Sequence, residues 1–559
     1  MYFRKKTSGG RAYLQIVESR REGAAVRQQV IATLGRVEDL RESGQLERLL
    51  RSGARFAAKA IVVDAIAAGS VAAGSARRIG PALVFERLWE ETGCREVVEN
   101  LAGARKHDFA LERAVFLTVL HRLFCGGSDR AADRWREDYR IDGVEGLDLH
   151  HLYRAMAWLG EELAVDQQEG APPFAPRCLK DVVEEELFAR RRDLFSTLDL
   201  VFMDTTSLYF EGVGGQTLGR RGFSKDHRPD LNQMILAVLL DGDGRPVCTE
   251  MWPGNTADTG SLIPVVDRLR QRFSIRRVCV VADRGMISTE TIAELEARGL
   301  LYILGVRERN DKLVRELVLD DAAPFIPLVL TKRKKVIDYE AKAVTLAGRR
   351  YIVCRNREEM KKDAAARAAI LAALERQLKK GDKSLVGNKG YRRFLATPGD
   401  DHFAIDRAKA EGDANFDGIF VLRTNADLSP LEAMLCYKQL WQVERAFRTS
   451  KSLFATRPIF HKLDETIRGH VSCSFLALVL KKELEDRIAN LGKPGADGVA
   501  AQSGSWPDIL ADLDSLTETE VEQDGKRFLL RSPPRAAASL ALRAAGVALP
   551  PTVRQLADA

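Results

Sequence analysis

The sequence predicts an α/β fold, and three observations carry that expectation. Buried apolar runs recur from Leu198 onward, at residues 200–203, 233–240, 247–252, 277–282 and 301–306, as strands of a covered sheet do. Amphipathic helical periodicity separates the later runs, over 259–273 and again after Ser288. Between the second and third runs, Asp241-Gly242-Asp243-Gly244 supplies hairpin-turn chemistry.

Taken in order, residues 1–36 alternate in strand fashion (Tyr13, Ile16, Val17; then Val26, Val30, Ile31) and are broken by Ser8-Gly9-Gly10 and Arg21-Glu22-Gly23. This predicts a small antiparallel sheet. It is also basic: Arg4, Lys5, Lys6, Arg11, Arg20, Arg21, Arg27 and Arg36 face only Glu18 and Glu22. From about 37 to 195 the period turns helical, as in Leu83-Val84-Phe85-Leu88-Trp89 and in 110–124 with Val115, Leu117 and Leu120. Residues 169–177, with Pro172, Pro173 and Pro176, read as a loop.

Ser288 is a helix N-cap with Glu290 in the first turn and Gly299 just past the end. Three strands, a helix, a strand, a helix and a strand form the order of a ribonuclease-H-like core. Residues 308–428 interrupt it with strands near 351–353 and 418–422 and a charged helix near 358–380, which predicts a β-rich insertion domain. The core resumes at Ser429-Pro430-Leu431-Glu432, a capping box with proline at the first helical position. A helix over 465–488 and a Gly/Ala/Ser linker over 492–505 follow. The expected organisation is a basic β segment (1–60), a helical domain (61–195), the α/β core (196–307 and 429–490), its insertion (308–428), and a linker with a small C-terminal segment (491–559).

At 559 residues the chain exceeds one hydrophobic core. Hydrophobic content of 45% with 30% charged residues excludes large-scale disorder. The net charge of +7 is modest, but its concentration in 1–36 suits a phosphate-contacting face. Eight scattered cysteines without a Cys-x-x-Cys pair argue against zinc and against a disulfide framework, and for a reducing compartment. The most apolar window, 57–74, is interrupted by Lys59 and Asp64, so the expected protein is cytoplasmic, without a membrane span, and nucleoid-associated when bound to DNA.

Asp204 and Asp283 each follow a buried run directly, so both are expected at strand ends facing one crevice. An aspartate after a strand is otherwise only a turn former. Tyr437, Glu444 and Lys451 are spaced by seven, which places them on one stripe of a helix with Leu440, Trp441 and Arg448. The competing reading is an exposed helix with a Glu444–Arg448 pair contributing about 0.3–0.5 kcal/mol. Three carboxylates on rigid elements suit two Mg2+ ions, with Mn2+ able to substitute, and hence phosphodiester chemistry. His150-His151 lacks metal-ligand spacing and reads as ordinary core or surface histidine. Asp226 and Asp230 read as members of a salt-bridged loop, and Trp252 as a packing residue.

The stretches Met203-Asp204-Thr205-Thr206-Ser207, Gly222–Asp230 (GFSKDHRPD), Pro253–Asp258 (PGNTAD), Val281-Ala282-Asp283-Arg284-Gly285 and Tyr437–Lys451 resemble DDE transposases of the insertion-sequence-4 superfamily, in the branch with a long insertion before the last acid. The resemblance implies Asp204, Asp283 and Glu444 as catalytic and metal-binding residues. It implies Tyr437 and Lys451 as the Tyr and Lys of a Tyr-x2-Arg-x3-Glu-x6-Lys signature that contacts the transposon-end backbone. The signature arginine is Leu440 here. That contact is therefore lost or supplied by Arg445 or Arg448, and Arg284 is taken with them as a DNA contact. The implied activity is cleavage and strand transfer at terminal inverted repeats, by a homodimer acting on target DNA. The rivals are an inactive transposase-derived DNA-binding protein and a ribonuclease-H-like host nuclease.

Overall fold

The computed structural model describes residues 2–22, 25–54, 72–168, 171, 175–191, 200–257, 260–273, 279–306, 314, 319, 321–332, 335–346, 348–379, 394–396, 403–491, 504–523 and 526–556. The chain divides into two compact units: residues 1–84, 137–141 and 490–559 form one, and 85–136 with 142–489 the other.

In the first unit, β1 (Tyr2–Ser8), β2 (Arg11–Glu22) and β3 (Ala25–Arg36) make the expected antiparallel sheet. Gly9 and Gly10 turn β1 into β2 with φ of 56° and 74°, the left-handed pair that a two-residue hairpin requires. The sheet is thin. Val17 is buried, whereas Lys5, Lys6, Arg11 and Arg27 are exposed. The C-terminal segment is more than an appendage: Thr517–Gln523 pairs with Ala72–Arg78 and, through Lys526–Arg531, with Val553–Gln555 in a four-stranded sheet. The expected linker over 492–505 and the apolar window 57–74 lie almost wholly outside the described residues.

The second unit opens with helices Cys94–Ala102, Leu111–Phe124, Asp129–Trp135 and Leu149–Leu159. Helix α1 (Leu179–Arg191) follows. Its centre is a nine-stranded sheet. β4 (Leu200–Tyr209), β5 (Gln233–Leu240) and β6 (Pro246–Pro253) are antiparallel neighbours. β7 (Cys279–Ala282) and β8 (Leu301–Val306) extend β4 on its other side in parallel. Crossover helices α2 (Leu262–Phe273) and α3 (Thr289–Ala297) connect them, and Ser288 caps α3 by accepting from the Thr291 amide.

Strands from 308–428 do not stand apart from this sheet. β9 (Ile326–Lys332), β10 (Lys335–Leu346), β11 (Arg349–Asn356) and β12 (Ile419–Thr424) continue it, in the order β9-β10-β11-β12-β8-β7-β4-β5-β6. Helix α4 (Arg357–Leu378) leaves β11 through an Asn356 N-cap. It packs with Phe394 and Ala410 in a smaller apolar cluster. Helices α5 (Pro430–Lys438), α6 (Trp441–Arg448) and α7 (Asp464–Leu491) complete the unit. Ser429 and Glu432 form the expected capping box.

Alternation along the strands assigns the two faces of the sheet. Val201, Met203, Ala237, Leu239, Val280, Ala282, Tyr302 and Leu304 meet α2 and α3 in one core, with Trp252 packed among them. Phe202, Asp204, Val281, Asp283 and Gly305 fall on the opposite face, where α5 packs on β7 and β8, and α6 on β4 and β5.

β6 is an edge strand, and α1 lies along it. Lys180 donates to the Thr249 carbonyl at 2.9 Å, Glu184 accepts from the Thr249 amide at 3.0 Å, and Arg191 donates to the Pro246 carbonyl at 2.7 Å. Lys180 and Glu184 are themselves buried with Asp181, Glu250, Arg268 and the Arg272 side chain. Burial opposes ionisation of Asp181, but Lys180, Arg272 and Arg268 outweigh it and hold its carboxyl well below the usual range. No helix of the described residues is long and apolar enough to cross a membrane.

Candidate active site

The parallel pairing of β4 and β7 sets Met203 beside Ala282. One residue further, with Asp283 still extended at φ −78° and ψ 159°, Asp204 and Asp283 come next in that register, on the same face of the sheet. Both are half-buried. The expectation that Asp204 closes its strand is corrected: β4 runs on to Tyr209, paired with β5 throughout. Asp204 instead marks where β4 loses its parallel neighbour, because β7 stops at Ala282. Thr205, Thr206 and Ser207, polar but buried, hide the continuation from a reading based on apolar runs.

The helix carrying the third acid is also different. Tyr437 belongs to α5, Glu444 to α6, and Lys451 to a π-helical turn, Thr449–Leu453. The chain tightens at Gln439 and Leu440, where the Gln442 amide bonds the Gln439 carbonyl at 2.9 Å and the Val443 amide the Leu440 carbonyl at 3.0 Å. One continuous seven-residue stripe therefore does not exist. Val443, Ala446 and Phe447 face the sheet, and Glu444 is exposed beside them.

Two residues implied as DNA contacts turn inward. The Tyr437 hydroxyl donates to Asp283 Oδ1 at 2.9 Å. Lys451 Nζ donates to Asp226 Oδ1 at 2.8 Å, and Arg457 approaches the other oxygen at 3.5 Å. Desolvation lowers the Lys451 pKa, with Asp226 opposing the fall. Asp230 is paired with Arg228 at 2.9 Å, so both loop aspartates are salt-bridged. Arg445 bonds Glu485 at 2.5 Å, and Arg448 is exposed. The side chain of Arg284 lies outside the described residues.

Sequence reasoning passed over Lys225. Its Nζ donates to the Thr205 carbonyl at 2.8 Å and to Thr205 Oγ1 at 2.9 Å, while its amide donates to Ser207 Oγ at 2.8 Å. The loop after Gly222 is thereby fastened to β4 next to Asp204 and, through Asp226, to the turn after α6. Its signal was a place in the Gly222–Asp230 stretch, to which no role for the lysine was attached.

The donor set of Asp204, Asp283 and Glu444 is oxygen only, which fits hard divalent cations. The three carboxylates do not close within 4.8 Å of one another, as one small ion would ask. A pair of ions about 3.5–4 Å apart spreads its ligands more widely, and the half-buried floor with an exposed third acid suits that arrangement. Among the described residues the set that does close is Asp148, His150 and His151. There His151 Nδ1 accepts from the Asp148 amide at 2.9 Å, so the group caps the helix Leu149–Leu159.

Comparison with known proteins places this geometry. Residues 196–480, just over half of the chain, match the transposase DDE domain, and residues 3–65 match the N-terminal domain of IS1634 family transposases. A search of curated proteins gives no match. Among solved structures, the chain is similar to a piggyBac transposase in a synaptic complex with hairpin DNA: 10% identity, TM-score 0.37, 78% of this chain and 79% of that one. It is also similar to Mos1 transposase in a paired-end complex with the left transposon end: 14% identity, TM-score 0.14, 35% of this chain and 60% of that one. The match over the segment that contributes β4 through α6, and with them both aspartates and Glu444, decides the matter: the chain belongs to the DDE transposase family and is a transposase.

Proposed function

We propose that this transposase is a member of the insertion-sequence-4 superfamily, in its long-insertion branch, with a ribonuclease-H-like core that cuts and joins DNA at Asp204, Asp283 and Glu444. The observation that carries the reading is the register of β4 and β7, which sets Asp204 beside Asp283 on the face covered by α6. Asp204 and Asp283 would hold the ions from the sheet, and Glu444, carried by α6, would be the third ligand. Two divalent cations, Mg2+ or Mn2+, supply charge neutralisation at the phosphate and an acidified water when bound. Lys225 and Tyr437 keep the carboxylate strands in place. Water cleaves at the terminal inverted repeats, and the freed 3′-hydroxyl attacks target DNA. The β1–β3 sheet contributes phosphate contacts, and a homodimer holds the two ends.

The test is cleavage of a duplex carrying the inverted repeat that flanks the coding region, with Mg2+. Wild type is expected to nick the repeat end and Asp204→Asn to bind without nicking. Undiminished cleavage by Asp204→Asn would refute the triad, and binding without any cleavage by wild type would favour an inactive descendant.

A further inference from the structure

We propose that Tyr437 is a positioning residue for Asp283, and that Gly305 is glycine so that the phenol can reach that carboxylate. The inference rests on reading Asp283 as a metal ligand. Asp283 stands one residue past the end of β7, a strand of only four residues, so the ladder does not fix its side chain. The Tyr437 hydroxyl holds one of its oxygens at 2.9 Å and leaves the other to a cation. The phenol comes from the last turn of α5, with its ring lying nearly parallel to Phe420 at 6.3 Å and 19°.

Gly305 lies in β8, and the parallel register of β7 with β8 sets it beside Asp283. A Cβ there would fall 2.3 Å from Tyr437 Oη, 3.0 Å from Cζ and 3.3 Å from Cε2. Those atoms are the rigid end of an aromatic ring, which cannot bend away. Backbone conformation does not demand glycine, because Gly305 is not among the residues with positive φ. A glycine inside a strand paired on both sides weakens it and marks close approach of another group. Here that group is the phenol. The assignment also bears on DNA: a phenol has one proton to donate, and in this arrangement Asp283 takes it.

The experiment uses the full chain and two readouts: Mn2+ affinity by calorimetry, and affinity for the inverted-repeat duplex in EDTA. Tyr437→Phe is expected to weaken Mn2+ binding by at least about tenfold, the usual loss when a ligand's hydrogen-bond partner is removed, and to leave duplex affinity within about twofold. Gly305→Ala should lose as much, and Gly305→Ala with Tyr437→Phe no more than Tyr437→Phe alone, since the hydrogen bond that the added methyl would displace is already absent. Additive losses in the double variant would mean two unrelated packing defects and overturn the proposal. So would unchanged Mn2+ affinity in Tyr437→Phe. Asp283→Asn separates the layers: wild-type Mn2+ affinity in that variant overturns the reading of the site beneath the proposal.

Discussion

The two β-sheets that matter most here are built for opposite ends. β1 exposes nearly its whole length to solvent, whereas every residue of β5 is buried. The small sheet spends its side chains outward, as cations on a surface where register is held by a hairpin and little else. The large sheet spends them inward, and its register becomes a ruler that sets two aspartates side by side. Under the proposed function, contact tolerates a loose scaffold, while chemistry needs positions fixed on both sides of the strand.

That contrast can be broken most sharply at Asp204. Asp204→Asn is expected to cut the cleavage rate by about 10³-fold or more, the equivalent of ~4 kcal/mol of transition-state stabilisation, with duplex binding retained. Single-turnover nicking checks it. Next in size is a matched pair: Ile303, fully buried in β8, and Ile31, 51% exposed in β3. Ile303→Ala should cost about 2–5 kcal/mol of unfolding free energy, and Ile31→Ala no more than about 0.5. Equal costs by denaturant titration would erase the distinction.

Buried and half-buried histidines of the second unit should make its stability fall with acid. Burial, reinforced by Arg122, lowers His121 and His461 from 6.5 to about 4 and His470 well below its usual value. Their folded pKa lies below the unfolded one, so the unfolded chain takes up protons first. The contribution is complete above about pH 6.5 and is lost as pH falls toward 4. A melting-temperature profile should show this loss, on the order of 1–3 kcal/mol, and His461→Gln should flatten it. The smallest effect belongs to the small sheet. Lys5→Ala or Arg27→Ala should weaken duplex binding and lower the slope of log K against log salt by about one, with cleavage at saturating DNA unchanged.

Much of this was legible in the sequence. The apolar runs located β5 and β8, Ser288 and Ser429 announced their helices, and the Gly-Gly turn announced the small sheet. Each of those signals is local. What escaped reading was settled at long range. Ala72–Arg78 is a strand because Thr517–Gln523 lies beside it, and its own sequence, AAGSARR, has little strand character. The tightening at Gln439 breaks a stripe that the seven-residue spacing made look continuous, and it puts Tyr437 on a helix over β7 and β8 and Glu444 on one over β4 and β5. Lys451 meets Asp226 only in three dimensions. Asp204 and Asp283 drew notice because aspartate after an apolar run survives as a signal even when, as at Asp204, the strand goes on.

The charged side chains of α1 along β6 carry a last consequence. A nine-stranded sheet ends in a row of backbone amides and carbonyls that would accept another chain's strand as readily as its own. With Lys180, Glu184 and Arg191 already seated on Thr249 and Pro246, that side of the sheet has no free rung for a stranger to grasp at these positions. Lys180→Met with Glu184→Leu would remove the guard, and the expected cost is not only lower stability but copies of this enzyme clinging to one another, edge against edge.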